Sequence, residues 1–376
     1  MKILILSQHY RPENFRINEI VDSLKNYDHN ISVLTGQPNY PEGKIYKGYK
    51  AYNYSKKNNL GIEIIRVPSF PRGKNSKIRI IINYLVFILS ASIFGIWKIR
   101  KKKFDVVLCY ATSPILQAIP GIIFSMLNKT RFVLYVQDLW PESLLATGNI
   151  SNKYILALVG KLVSFIYKSS NLILISSRPF KKSINKYVKN KPIKYLPNSV
   201  NSSFYNFNQI KLDIDIYFDN YFSCVFAGNL GEAQALEIFV ECSLKLITQK
   251  KIRIFIFGYG NKYEWLLEQK KKYKLTNLYI MGKYPVEQMS HIFLKASCLI
   301  VSLKDQDVFR KTVPNKLQAY MACGRPIIGS IGGEGAKIIK ESQSGIVCEP
   351  ERGSLLADSI LQLKSLKKIQ LDEMGL

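Results

Sequence analysis

Short apolar runs alternate with longer stretches of helical periodicity along most of the chain. In the first half the pattern predicts strands over 2–7, 31–35, 62–67, 106–110, 132–136 and 172–176, with a short one over 193–196. It predicts helices over 16–26, 78–100, 116–127, 153–168 and 179–188. A polar, irregular stretch over 201–221 reads as a linker, and the alternation then restarts. Strands are expected over 223–227, 252–257, 278–281, 298–302, 326–329 and 345–348. Helices are expected over 235–248, 262–273, 286–294, 315–322, 336–342 and 354–366. Strand–helix alternation of this kind implies parallel sheets covered by helices on both faces. The expected domains are 1–200 and 222–376, joined by 201–221. Ligands of such sheets bind beyond the carboxyl ends of the strands.

The 376 residues suffice for two domains with full cores, and the 47% hydrophobic content is that of a globular protein. Six cysteines without a CxxC pair are expected to be free, buried thiols. Three histidines and no Cys/His cluster argue against catalytic zinc. Fifty-four Lys and Arg against 27 Asp and Glu leave a net charge of +27. That field attracts polyanions, whether anionic lipid or phosphorylated substrates. No nucleic-acid-binding motif accompanies it, so nucleic acid is not an expected partner. The apolar start, Met1 to Ser7, reads as a first buried strand rather than a secretory signal, which gives a cytoplasmic expectation.

The segment Val313-Pro314-Asn315-Lys316-Leu317-Gln318-Ala319-Tyr320-Met321-Ala322-Cys323-Gly324-Arg325-Pro326 carries the most information. Pro314 opens a helix, Gly324 closes it and an apolar strand follows, an arrangement suited to holding a diphosphate. Phe226-Ala227-Gly228-Asn229-Leu230-Gly231-Glu232-Ala233-Gln234 reads as a strand, a glycine turn and a helix start, whose amides can approach an anion. Both segments resemble family 4 glycosyltransferases, which have the GT-B fold: α/β, two Rossmann-like doubly wound domains facing a central cleft. A subgroup that makes colanic acid, O-antigen and capsule is the nearer resemblance.

That resemblance implies a metal-independent enzyme, without cofactor, that takes a sugar from a UDP-sugar with retention. The implied sugar is an amino-deoxy sugar such as N-acetyl-L-fucosamine, and the implied acceptor an undecaprenyl-diphosphate-linked saccharide. The family's Glu-x7-Glu pair falls on Lys311 and Ala319 here, so the ribose loses its usual glutamate. Lys316 becomes the leading diphosphate cation, with Arg310 beside it. Gly228, Asn229 and Gly231 flank the diphosphate. Arg178 is a further donor-binding candidate, and Glu334 in Gly332-Gly333-Glu334 is the acidic residue available for the ribose.

In the first half, Gln137-Asp138-Leu139-Trp140-Pro141 stands where the family has His-Asp-x-x-Pro. Asp138 is a candidate to orient a sugar hydroxyl, or else a helix cap. His9, in the first strand–helix loop, is a candidate catalytic residue or a satisfied turn histidine. Asp213-Ile214-Asp215 and Asp305-Gln306-Asp307 are Asp-x-Asp triplets that could hold a divalent ion, the first expected to be solvated. Relatives carry a final return helix that the end at Leu376 leaves out. The rival readings are a UDP-sugar epimerase of the same fold and a non-catalytic partner subunit.

Residues 80–97 carry no charge and are bracketed by Arg79 and by Lys98, Arg100, Lys101, Lys102 and Lys103. Eighteen helical residues cover about 27 Å, marginal against a hydrocarbon core of about 30 Å. Spanning would separate strands of one sheet, and burial in the core is an alternative. The expectation is a helix at the lipid interface, with the basic cluster on anionic head groups.

Overall fold

A computed structural model describes residues 1–73, 76–146, 152–200, 204, 212–218 and 220–376. The chain divides into two compact units, Met1–Pro197 and Asn198–Leu376. Most of the expected linker, 201–203, 205–211 and 219, lies outside the described residues.

The first unit holds eight strands. They are β1 (Lys2–Leu6), β2 (Asn30–Thr35), β3 (Ser55–Asn59), β4 (Ile62–Arg66), β5 (Val106–Ala111), β6 (Arg131–Val136), β7 (Leu172–Ile175) and β8 (Ile193–Tyr195). Their order is β3-β4-β2-β1-β5-β6-β7-β8, parallel except for the β3–β4 pair. Strand order therefore reverses between β1 and β5. The edge strand β3 was invisible to periodicity, because Ser-Lys-Lys-Asn-Asn has no apolar alternation. It pairs with β4 through Leu60 and Gly61, both at positive φ (52° and 78°), as a tight hairpin turn requires. Its lysines protect an exposed sheet edge.

The second unit holds β9 (Phe222–Ala227), β10 (Ile252–Phe257), β11 (Leu278–Gly282), β12 (Cys298–Ser302), β13 (Ile327–Ser330) and β14 (Gly345–Cys348). The order β11-β10-β9-β12-β13-β14 is wholly parallel and reverses between β9 and β12, the doubly wound arrangement of dinucleotide-binding sheets. Central strands are mostly buried, β12 and β13 completely, as parallel sheets demand.

Several helices start or stop elsewhere than periodicity alone implies. The helix expected from residue 235 begins at Glu237, because Ala235 takes a left-handed conformation (φ 50°) behind a short 3-10 turn, Glu232–Gln234. The helix expected from 116 starts as a 3-10 turn, Ile115–Ala118, and becomes α-helical at Ile119, where Pro120 suits a first turn. The 179–188 helix is α-helical only over Phe180–Ile184. Beyond it the bonds tighten to three-residue spacing, as in Lys186 N–H to Ser183 O at 3.2 Å. Helices Glu142–Ala146, Asp307–Lys311 and Lys368–Gly375 are additional.

The largest correction concerns Asp213-Ile214-Asp215. The triplet lies in a 3-10 helix, Asp213–Tyr217, and Ile214 and Phe218 join the second unit's core. Asp215 is buried, not solvated, and pairs with His291 Nε2 at 2.9 Å. Removing the imidazole strands a buried carboxylate. His291→Ala is expected to lower the unfolding free energy by about 3 kcal/mol in chemical denaturation. A loss below about 1 kcal/mol would show that the pair does not anchor the segment.

Candidate functional site

In doubly wound sheets, ligands sit beyond the strand ends where the order reverses. In the second unit this is the turn after β9 and the loop after β12. The β9 turn is tightly determined. Gly228 N–H donates to Phe257 O (3.0 Å) and Leu230 N–H to Tyr259 O (3.2 Å). Gly258 has φ 138°, and a Cβ there would stand 1.8 Å from Gly228 O, so only glycine allows the two turns to meet. Ser302 Oγ donates to Gln234 O (2.7 Å), and Lys304 N–H to Ala233 O (2.9 Å), which fastens the loop after β12 to the same turn. Among the described residues, none accepts a hydrogen bond from the amides of Asn229 or Gly231.

Lys316 enters this turn from the first helical turn of Asn315–Ala322. That helix is held by Tyr320, a buried residue whose hydroxyl accepts the Ala227 N–H at 2.8 Å. Lys316 Nζ donates to Gln234 Oε1 (2.6 Å) and lies 3.8 Å from the centroid of the Phe226 ring. A Cβ on Gly228 would come within 2.8 Å of Nζ. Lys316 is partly buried as a residue, and its amine is enclosed by Phe226, Gly228 and Gln234. Burial lowers its pKa to about 7. Gly228, Lys316 and Gln234 are thus brought together at the switch point, with exposed Asn229 and buried Gly231 in the same turn. Lys262 and Lys304 both pair with Glu232 there, at 3.2 and 3.1 Å.

The other donor candidates have contacts of their own. Arg310 is held by Asp305 through two hydrogen bonds, Nε–Oδ1 at 2.5 Å and Nη2–Oδ2 at 2.6 Å. It packs against Gly332, and its backbone against Gly333, where φ is 66° and a Cβ would stand 1.8 Å from Arg310 O. Lys311 pairs with Asp307. The second Asp-x-Asp triplet therefore directs both carboxylates at cations of its own helix. Glu334 sits half-buried in the first turn of Gly333–Glu341. Ala319 is buried in the core, so no polar group occupies the ribose-glutamate position. Arg178 belongs to the first unit and lies over the Tyr195 ring at 5.0 Å.

In the first unit, the switch between β1 and β5 gathers a buried polar network. His9 Nδ1 meets both oxygens of Glu13, at 3.0 and 3.1 Å. Glu13 also accepts the N–H groups of Asn39 (2.8 Å) and Tyr40 (2.7 Å). An acceptor-only carboxylate sets the imidazole proton on Nδ1 and leaves Nε2 as the acceptor face. The His9 ring stacks on Phe15, with centroids 4.9 Å apart. Gln8 donates to Asn83 Oδ1 (2.8 Å), and its N–H to Gln117 Oε1 (2.9 Å). Asp138 accepts the Ser143 hydroxyl beside the helix Glu142–Ala146. Burial raises its pKa despite hydrogen bonds from Ser143, Ser113 and the Leu139 amide.

Sequence reading did not single out Glu13 or Asn83, and it passed over Gln234 as part of the turn. Glu13 lies four residues after His9, but the intervening loop hides that they touch. Lys316 and Gln234 are 82 positions apart.

A two-unit chain with a nucleotide-type switch point in its second sheet has the make-up of the GT-B fold. Solved structures agree across the whole chain. Sucrose-phosphate synthase from Thermosynechococcus elongatus matches with a TM-score of 0.74 at 12% identity, covering 100% of this chain and 92% of that one. Anabaena HepE in complex with UDP-glucose matches at 0.67 and 13% identity, covering 100% and 92%. Residues 222–365 match the family Glycosyl transferases group 1. The colanic acid biosynthesis glycosyl transferase WcaI of Escherichia coli (strain K12) is 26% identical over 340 residues, covering 86% of this chain and 82% of its own. The glycosyltransferase WbjE of Pseudomonas aeruginosa is 25% identical over 314 residues, 79% and 75% of the two chains. Together these findings show the GT-B fold across the chain and a likeness to glycosyltransferases that is carried at the family level by residues 222–365.

The low pKa of Lys316 gives a direct test of the site. Above about pH 7 Lys316 is mainly the neutral amine. A diphosphate favours the ammonium and draws a proton in. At pH 8, where UDP is fully ionised, binding is expected to take up close to one proton. Calorimetry in buffers of different ionisation heat measures this. Lys316→Gln is expected to abolish the uptake, and equal uptake by both proteins would remove Lys316 from the site.

Proposed function

We propose that the protein transfers a sugar from a UDP-sugar to a lipid-diphosphate-linked saccharide during assembly of a bacterial surface polysaccharide. The observation that carries this reading is the enclosed amine of Lys316 in the same turn as the Asn229 and Gly231 amides, which have no acceptor among the described residues. An ammonium shielded from water acts strongly on charge that develops next to it. The name of WcaI supports the polysaccharide context, and UDP-glucose in the HepE complex supports the donor class. The proposed donor is an amino-deoxy sugar such as N-acetyl-L-fucosamine, and the proposed acceptor is undecaprenyl-diphosphate-linked.

In the proposed step, the bond between the anomeric carbon and the β-phosphate oxygen breaks while the acceptor oxygen bonds to that carbon. With retention the acceptor hydroxyl approaches from the departing side, and its proton passes to a diphosphate oxygen. Lys316 and the turn amides stabilise the departing charge. Arg310 would contribute only by exchanging Asp305 for phosphate, a secondary role. Glu334 is the proposed ribose partner. His9, with its proton fixed on Nδ1 by Glu13, offers Nε2 to an acceptor hydroxyl, and Asp138 orients the loop after β6. Metal-independent chemistry is supported by the engagement of Asp305 and Asp307 with Arg310 and Lys311.

The reading is tested with a panel of UDP-sugars and a lipid-diphosphate acceptor, following UDP release and product mass. Lys316→Ala is expected to lower kcat/KM about a hundredfold, equivalent to about 3 kcal/mol of transition-state stabilisation. Wild-type turnover in that variant would overturn the assignment. Glu334→Gln is expected to weaken UDP binding while leaving the thermal midpoint unchanged; a midpoint that falls with affinity would make Glu334 structural.

A further inference from the structure

We propose that three helical segments of the first unit, Ile78–Ile99, Ile119–Asn128 and Lys153–Ser169, together form a docking platform for an anionic lipid bilayer. The sequence pointed to the first segment alone. The structure adds the other two.

The segments follow β4, β5 and β6, and each leads to the next strand in the same direction across the sheet. Right-handed crossovers in one direction put their helices on one face. Ile119–Asn128 lies between the other two and packs on both. The first segment buries Asn83, Phe87, Ala91 and Ile99 against the unit. Its opposite side exposes Ile81, Leu85, Leu89, Ile93 and Trp97, each four residues from the next, with Leu89 59% exposed. Lys153–Ser169 repeats the pattern: Val159, Val163 and Ile166 are buried, while Tyr154, Leu158 and Phe165 are exposed, Leu158 at 61%. Met126 and Leu127, both about 70% exposed, lie at the end of the segment between them. An apolar surface shared by three neighbouring helices is far more than scattered exposed residues, and it marks an interaction face.

Charge selects the occupant. None of the three segments contains an acidic residue. Lys98, Arg100, Lys101 and Lys103 end the first, Lys129 follows the second, and Lys153, Lys161 and Lys168 lie on the third. A second copy of the chain would bring a like-charged fringe against this one. A bilayer with anionic head groups satisfies both the apolar stripes and the basic fringe. The geometry also fixes the mode. Ile78–Ile99 is long and apolar enough to span, but it connects two parallel strands of one sheet and is tied from beneath by the Gln8–Asn83 hydrogen bond (2.8 Å). It therefore lies along the interface. Through that bond it bears directly on the loop that carries His9.

The inference rests on the first unit's geometry and fails independently of the donor reading. The full chain is floated with phosphatidylglycerol-containing vesicles and with phosphatidylcholine vesicles, at low and high salt. Flotation with the anionic vesicles at low salt is expected, with at least about a tenfold loss at high salt. Leu85→Gln with Leu89→Gln, and separately Leu158→Gln with Phe165→Gln, are each expected to lower vesicle partition about tenfold or more at unchanged thermal midpoint. A soluble wild type overturns the proposal. So does self-association abolished by both pairs in the absence of flotation. Full flotation of the Leu158/Phe165 variant removes the third helix and the platform with it.

Discussion

An ammonium group held over an aromatic ring with a neutral amide for a partner is poorly compensated. Enclosing Lys316 between Phe226, Gly228 and Gln234 brings its pKa from 10.5 to about 7, which corresponds to about 5 kcal/mol of lost preference for the charged form. A fold that needed only a stable core would place an apolar side chain there. The surrounding structure maintains the position instead. Tyr320 fixes the helix to β9, Gly258 lets the neighbouring turn close on Gly228, and Ser302 holds Gln234 by its backbone. In the proposed function a diphosphate supplies the missing countercharge, and this cost becomes attraction for the donor and for the leaving group.

The first unit follows the same logic with different chemistry. Its switch point carries a carboxylate, Glu13, whose oxygens accept from an imidazole and two amides. Such a network is rigid because every acceptor is met, and it fixes the tautomer of His9. Asn83 extends the rigidity to the underside of the apolar helix. The proposed lipid-facing helix and the proposed acceptor loop are thus joined by one hydrogen bond.

Much of this was legible in the residues. Buried parallel strands announce themselves as apolar runs, and twelve of the strands follow them closely, with β8 a short edge piece. The polar hairpin strand β3 and the left-handed Ala235 were not legible, since the first lacks apolar alternation and the second is set by packing. Lys316 and the Gly228 turn were readable from motif resemblance, but their contact was not, because it joins residues far apart in the chain. Arg310 shows the converse limit. Proximity in sequence suggested a phosphate ligand, whereas a carboxylate five residues earlier holds its guanidinium. Asp215 likewise read as solvated in a polar stretch, and only the fold brings His291 to it.

The measurement that bears most directly on the central claim is a structure of the protein with UDP bound. The account predicts the β-phosphate within hydrogen-bond distance of Lys316 Nζ and of the Asn229 or Gly231 amide, with the Lys316–Gln234 contact lengthened. A diphosphate seated instead on the Gly332–Gly333 amides at the start of the helix Gly333–Glu341, with Lys316 still bonded to Gln234, would contradict it.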